Sequence, residues 1–322
     1  MKVKIKQLEI QKDKRIICIS DIHGSLSLFK QLLLKVNFCK EDILVLIGDL
    51  YLKGSEESYD TLKYIMELSK SPNVYVIRGN CDITEDKWIK ELNNPPFMMT
   101  DKEKEWVEDL PHVIESESYI FVHGGLTSNK IDPEEDAFNY MKNDNFMNKG
   151  FKFLKYVVTG HWPVANYRYK IKNNNPLVNE ELGIIAIDGG NVIGPDGGQL
   201  NAFIIEDNKF SYDFVDNYPV IKIEKSQEAR GGNLNVTWLD RFVEILEKGL
   251  EFSLCKHIES GQTIEVPNSA VFNDSENRSC AASFATDYYL PVNAGDTVSV
   301  IKEFSDRIFA KKEGISGWID IS

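Results

Sequence analysis

Within the first 190 residues six apolar, strand-like runs each stop at a short polar tip. The tips are Ser20-Asp21-Ile22-His23-Gly24, Gly48-Asp49, Gly79-Asn80-Cys81-Asp82, His123-Gly124-Gly125, Gly160-His161-Trp162-Pro163 and Asp188-Gly189-Gly190. Between the runs lie amphipathic stretches. "RIICIS" is followed by Ser25 to Val36, with Leu28, Leu32 and Val36 at helical spacing, and "ILVLIG" by Ser55 to Lys70, with Tyr59, Leu62, Ile65 and Met66 on one face. That alternation predicts an α/β domain over residues 1–224. In α/β sheets ligands bind beyond the carboxyl ends of strands, and glycine lets backbone or solute come close, so the six tips are expected to converge. Any one tip alone reads as turn chemistry. Histidine usage argues otherwise: of five histidines, His23, His123 and His161 fall in the tips, each beside a glycine.

The pattern changes at "EKSQEARGGN", where charge and a glycine pair predict a linker over 225–233. Beyond it, 234–322 shows no helical period. Segments such as "DRFVEILEKG", "QTIEVP", "DTVSVIKEF" and "SGWIDIS" predict a small all-β domain. Fifty acidic residues against 37 basic ones leave a formal charge of −13, which argues against nucleic acid and anionic membrane as partners. The charged start "MKVKIKQLEIQKDKR" carries no apolar signal region, and no run approaches the roughly 18 apolar residues of a spanning helix. The expectation is a soluble cytoplasmic protein. Cys18, Cys39, Cys81, Cys255 and Cys280 are scattered and odd in number, as free thiols would be.

Asp21, His23, Asp49, Asn80, His123 and His161 offer oxygen and nitrogen donors without a thiolate. Such a set suits Mn, Fe, Zn or Co rather than Cu(I) or an iron–sulfur cluster. Asp21 and His23, two apart on an extended segment, are expected to point the same way and grip one ion. Six ligands imply a second. Two divalent ions held by two carboxylates and neutral donors leave a net positive site, which favours a phosphate ester.

The order D-x-H-G, G-D, G-N, H-G-G, G-H resembles the calcineurin-like metallophosphoesterases over roughly residues 16 to 215. The resemblance implies a double β-sandwich flanked by helices. It also implies Asp21 and His23 on a first metal, Asp49 bridging two, and Asn80, His123 and His161 on the second, with a bridging hydroxide attacking phosphorus. "GHWPV" followed by "IDGG" is similar to bacterial relatives of the serine/threonine protein phosphatases and to dinucleoside polyphosphatases. In the phosphatase branch a His after the Asn protonates the leaving group and an Asp orients it. Here those positions hold Cys81 and Leu52, so Cys81 reads as a replacement rather than a nucleophile. Lys53 stands where the branch has a phosphate-clamping Arg and keeps its charge without the bidentate fork. Lys53 and Asn80 are expected to touch substrate, and Asp82 is a candidate proton donor in place of the missing pair. The tail resembles a bacterial SH3-like module, with Trp318 in its core and a peptide as its ligand.

The leading expectation is a serine/threonine-phosphatase-like phosphomonoesterase using two divalent metals, Mn first among them, on a phosphorylated protein or small phosphoester. A phosphodiesterase or dinucleoside polyphosphate hydrolase is the alternative, favoured by Asn-Cys-Asp. A low-activity phosphate-binding scaffold is the third reading. His112, His257, Lys142 and Asp188 are read as structural.

Overall fold

The strands Ile16–Ile19 and Ile43–Ile47 are apolar at every position because both of their faces are covered, as in parallel sheets generally. Ile17, Ile19, Leu44 and Leu46 pack on helical residues Phe29, Leu32, Leu62 and Ile65. Their neighbours Ile16, Cys18, Ile43, Val45 and Ile47 pack on Ile114, Phe121, Val158 and Ile185 of a second sheet. The computed structural model describes residues 1–10, 14–51, 56–85, 98–192 and 197–321.

Those residues form two compact units, the first being Met1–Pro163, Asn175–Val192 and Gln199–Asp216. In chain order its strands are β1 (Ile5–Gln7), β2 (Ile16–Ile19), β3 (Ile43–Ile47), β4 (Val74–Ile77), β5 (Val113–Glu115), β6 (Tyr119–Val122), β7 (Tyr156–Thr159), β8 (Leu177–Asn179), β9 (Ile184–Ala186), β10 (Leu200–Glu206) and β11 (Lys209–Val215). Its helices are α1 (Leu26–Lys35), α2 (Ser58–Leu68), α3 (Asp101–Asp109) and the short α4 (Ala137–Met141). One sheet has the order β11-β10-β2-β3-β4 and the other β1-β5-β6-β7-β9-β8. β2, β3 and β4 run parallel, as do β6, β7 and β9, so the carboxyl ends within each trio lie at one edge. The two expected helices form as α1 and α2, whose apolar stripes supply the cover. The expected start of the second, Ser55, lies outside the described residues.

The second unit takes Val164–Asn174, Ile193–Gly198 and Asn217–Ser322. Its strands are β12 (Val220–Lys222), β13 (Val243–Lys248), β14 (Phe252–His257), β15 (Thr263–Pro267), β16 (Val271–Asn273), β17 (Ser279–Ala281), β18 (Thr297–Glu303), β19 (Arg307–Lys312) and β20 (Ile315–Asp320). They form sheets β12-β18-β19-β20, β13-β14-β15 and β16-β17. Trp318 is core, with the rings of Phe252, Phe304 and Phe309 at 4.9–5.7 Å and its indole N–H donating to the Thr286 carbonyl at 2.9 Å. No closed barrel is present among the described residues, so the SH3-like barrel expected from the tail does not appear. The four-stranded sheet draws its first strand from ahead of the expected linker, and β20 meets Tyr289 through an isolated parallel bridge rather than closing on β12. Residues 225–233 are tied by bridges from Gln227 to Val292 and Arg230 to Tyr289.

Segment 164–174 is paired within this unit. The Asn174 amide donates to the Gly314 carbonyl, the Ser316 amide to Lys172, and the Asn235 amide to Tyr169, at 2.8–3.0 Å. No helix among the described residues is long and apolar enough to cross a membrane.

Candidate active site

Each tip begins where a strand of the first unit stops, and backbone hydrogen bonds stitch neighbouring tips together. Past β2 and β3, the amides of Asp21, His23 and Gly24 donate to the carbonyls of Gly48, Asp49 and Leu50 at 2.9–3.1 Å. Past β6 and β7, the Gly160 amide donates to the His123 carbonyl at 2.9 Å. Asn191, beyond β9, is buried and donates its Nδ2 to the Asp21 and Ile22 carbonyls and to Ser25 Oγ. Sequence reasoning missed Asn191, since a single Asn after a glycine pair carries no signal of its own.

Four of the expected ligands have left-handed backbones, Asp21 at φ 56°, His23 at 48°, Asp49 at 51° and His161 at 64°. Non-glycine residues adopt that region at a cost, and the cost concentrates where geometry is imposed by function. The segment from Ser20 to Gly24 is therefore not extended as expected. Asp21 and His23 are brought together by a coiled tip, with His23 Nε2 3.6 Å from Asp21 Oδ1 and 3.8 Å from Asp49 Oδ2. Glycine makes the crowding feasible. A Cβ at Gly48 would lie 2.7 Å from His123 Nδ1 and from the Gly79 backbone, and one at Gly160 would overlap Asp21 Oδ2.

Asp49 is the hub. One of its oxygens accepts from the Cys81 amide at 2.7 Å and lies 3.3 Å from His123 Nε2. Candidate donor atoms of Asp21, Asp49 and His123 lie within 4.8 Å of one another, and so do those of His23, Asp49 and Cys81. Asp49 belongs to both groups. Asp21 also neighbours His123, and the Cys81 thiol, read from the sequence as a replacement rather than a nucleophile, lies beside His23 and Asp49. Asn80 is placed next to it, its Nδ2 donating to Cys81 Sγ at 3.3 Å.

The donor set fits divalent cations. His123 Nδ1 is 2.7 Å from the Ile47 carbonyl, which fixes the ring proton there and turns the Nε2 lone pair toward the Asp49 carboxylate. His123 Nε2 and Asn80 Oδ1 are both buried, and among the described residues neither has a hydrogen-bond partner. Lone pairs facing lone pairs in a dry site repel unless a cation lies among them. The protonation tendencies agree. Burial pushes Asp21 up to about 6 against the pull of His123. At Asp49 burial also pushes upward, but His123 and His23 outweigh it and hold the carboxyl well below its usual range. Burial opposes charge on His123, yet Asp49 and Asp21 raise it to about 10, so without a metal a proton takes the cation's place.

His161 sits at the rim, its amide donating to Asp21 Oδ2 at 3.0 Å and its ring centroid 5.3 Å from that of His123. Its Nε2 lies 2.7 Å from Asp144 Oδ1, a partner the sequence did not suggest. Burial and His123 lower its pKa to about 4, with Asp144 pulling the other way. Asp82 is buried, and its two oxygens accept from the amides of Asp49, Leu50 and Gly79 at 2.7–3.1 Å. Burial and the nearby Asp49 raise it to about 7. Lys53 and Leu52 lie outside the described residues. Lys142 is exposed, and Asp188 is buried with Oδ1 accepting from the Gly190 amide at 2.7 Å.

Comparison with known proteins agrees with this geometry. Two symmetrical bis(5'-nucleosyl)-tetraphosphatases are 29% identical to the chain. The one from Vibrio parahaemolyticus aligns over 120 residues, 34% of this chain and 44% of the relative. The one from Wigglesworthia glossinidia brevipalpis aligns over 156 residues, 40% and 55%. The chain thus spans about half the length of the curated relatives it matches. Among solved structures, a provisionally assigned diadenosine tetraphosphatase superposes with a TM-score of 0.50 at 21% identity, covering 67% of this chain and 99% of the other. The family profile for calcineurin-like phosphoesterase matches residues 14–187, more than half of the chain and every one of the donors above. The chain belongs to the calcineurin-like phosphoesterases.

Proposed function

We propose that this chain hydrolyses a phosphoanhydride of a dinucleoside polyphosphate with two divalent metal ions, Mn by preference. The observation that carries the metal reading is Asp49, shared by two donor groups and facing a buried His123 Nε2. Asp21, His23 and Asp49 would hold one ion, and Asp49, Asn80, His123 and His161 the other. Bound divalent ions supply positive charge to the scissile phosphoryl group and acidify water near neutral pH. The remaining work falls to the chain. The left-handed tips and glycines fix the donors in advance of binding, and the dry walls strengthen every charge interaction made there.

The substrate class is supported by the sequence likeness to the tetraphosphatases and by the leaving group. A general acid contributes most when the leaving group is a strong base such as an alkoxide. Here Cys81 follows Asn80, and Asp82 has its oxygens committed to three backbone amides, a brace for the β3 and β4 tips rather than a proton donor. A nucleoside diphosphate leaves readily as an anion, whereas serine alkoxide does not. The site therefore suits an anhydride better than a phosphoserine ester, and the phosphomonoesterase expectation ranks second. Lys53 is retained in this proposal as a contact to substrate phosphate, on sequence grounds.

The test is a panel of diadenosine tetraphosphate, bis-p-nitrophenyl phosphate, p-nitrophenyl phosphate and phosphoserine peptide with Mn-loaded protein. The expected outcome is fastest turnover of diadenosine tetraphosphate with ADP as product, and phosphoserine slower by about 10²-fold or more. Faster phosphoserine hydrolysis would overturn the substrate class, and turnover undiminished after chelation would overturn the metal reading.

A further inference from the structure

His123 and His161 make their ring hydrogen bonds through different nitrogens. The Ile47 carbonyl takes the His123 Nδ1 proton, leaving Nε2 as the donor atom. At His161 the fixed nitrogen is Nε2, 2.7 Å from Asp144 Oδ1, and Nδ1 keeps the lone pair. The His161 backbone is pinned independently by its amide bond to Asp21 Oδ2 and by its left-handed φ of 64°. The carboxylate thus controls only the ring.

Asp144 is itself built in. Asn143 beside it is buried, donates Nδ2 to the Leu126 carbonyl at 2.9 Å and receives Lys149 Nζ on Oδ1. Gly124, next to His123, has its amide on the Tyr140 carbonyl at 2.7 Å and so little space that a Cβ would lie 2.8 Å from the Asn143 nitrogen and the Met141 carbonyl. Asn145 turns the chain away with φ 57°. The segment bearing Asp144 is therefore fitted against the tip bearing His123, although the carboxylate itself is 53% exposed.

We propose that Asp144 is the positioning residue for His161: by accepting the Nε2 proton it fixes the ring's orientation and leaves Nδ1 to serve a metal. The proposal rests on the dinuclear reading above. Carboxylate partners of metal-binding histidines raise ligand basicity and commonly matter by 10–100-fold in affinity. Asp144 meets the donor set at His161, so the effect should fall on one of two ions.

The experiment titrates metal-depleted, full-length protein with Mn(II), reading affinity and stoichiometry by calorimetry, in wild type, Asp144→Ala, Asp144→Asn, His161→Ala and the Asp144→Ala/His161→Ala pair. Wild type should bind two equivalents. Asp144→Ala should weaken one by about 10- to 100-fold and leave the other unchanged, with Asp144→Asn, which keeps an acceptor without the charge, in between. In the His161→Ala background the second substitution should add nothing, because the two residues act as one unit. Unchanged affinities, equal weakening of both ions, or additive losses would overturn the proposal. Should Asp144→Ala lose its fold by circular dichroism, Asp144→Asn alone decides. At most one equivalent in wild type would bring down the dinuclear reading and this proposal together. Two in wild type and one in His161→Ala, with Asp144→Ala unaltered, would bring down Asp144 alone.

Discussion

Gly160 shows how closely the site is fitted at the scale of single atoms. A Cβ there would overlap Asp21 Oδ2, the oxygen that also accepts from the His161 amide, and would press on Ser20. Gly160→Ala should therefore swing the Asp21 carboxylate away while leaving the two-sheet core intact. We expect at least a tenfold loss of Mn affinity with an unchanged far-ultraviolet circular dichroism spectrum, since the displaced group is a ligand and not core. Wild-type affinity in the variant would show that Asp21 has room to spare. The residue types at this site were legible in the sequence because Asp, Asn and His beside glycine at strand ends recur too often for turns alone. Their conformation was not: spacing says nothing of a left-handed φ, and Asp21 and His23 looked extended for that reason. Asp144 was invisible because one carboxylate in "MKNDNF" resembles any polar turn, and only the folded chain brings it to His161.

At the scale of elements, His112 is the titratable group most tied to strand pairing. It is buried where β1 approaches β5, and its Nδ1 accepts the Lys4 amide at 2.9 Å, which requires a neutral ring. Burial, Arg78 and Lys4 lower its pKa to about 4. In the unfolded chain histidine titrates near 6.5, so between those values the unfolded state binds more protons and stability falls as pH falls. His112→Asn, whose Oδ1 can accept the same amide, should remove on the order of 1–2 kcal/mol of the acid-induced loss between pH 6.5 and 4, allowing for solvent screening. Denaturant titrations of metal-depleted wild type and variant at both pH values check this, and identical pH slopes would exclude it. Strands and helices of the first unit could be read from pattern because β2 and β3, covered on both sides, are continuous apolar runs, and α1 and α2 carry plain stripes. The second unit misled for a related reason. Alternating strands reveal one buried face each but not whether their edges close, and nothing in "VIK" at 220–222 announces an edge strand for a sheet whose other members begin near 297.

At the scale of the whole molecule, all six proposed metal donors lie in the first unit, whereas the second has its own aromatic core around Trp318. Metal saturation should therefore slow hydrogen exchange at residues 20–25, 48–51, 78–82, 123–126 and 160–163, and leave β13 to β15 as before. Exchange measured by mass spectrometry with and without chelator tests this, and protection confined to the second unit would contradict the donor assignment. The chain does not pass from one unit to the other only once. Residues 164–174 leave the tip bearing His161 and pair with partners near 235 and 314–316. During synthesis that stretch emerges about 140 residues before Gly314, roughly 7–28 s at about 5–20 residues per second. For that interval Lys172 and Asn174 have left the ribosome without their partners at Ser316 and Gly314. A nascent chain of this protein is therefore most exposed to wrong pairing, and most dependent on chaperones, at a stage when its metal-binding tips have already been made.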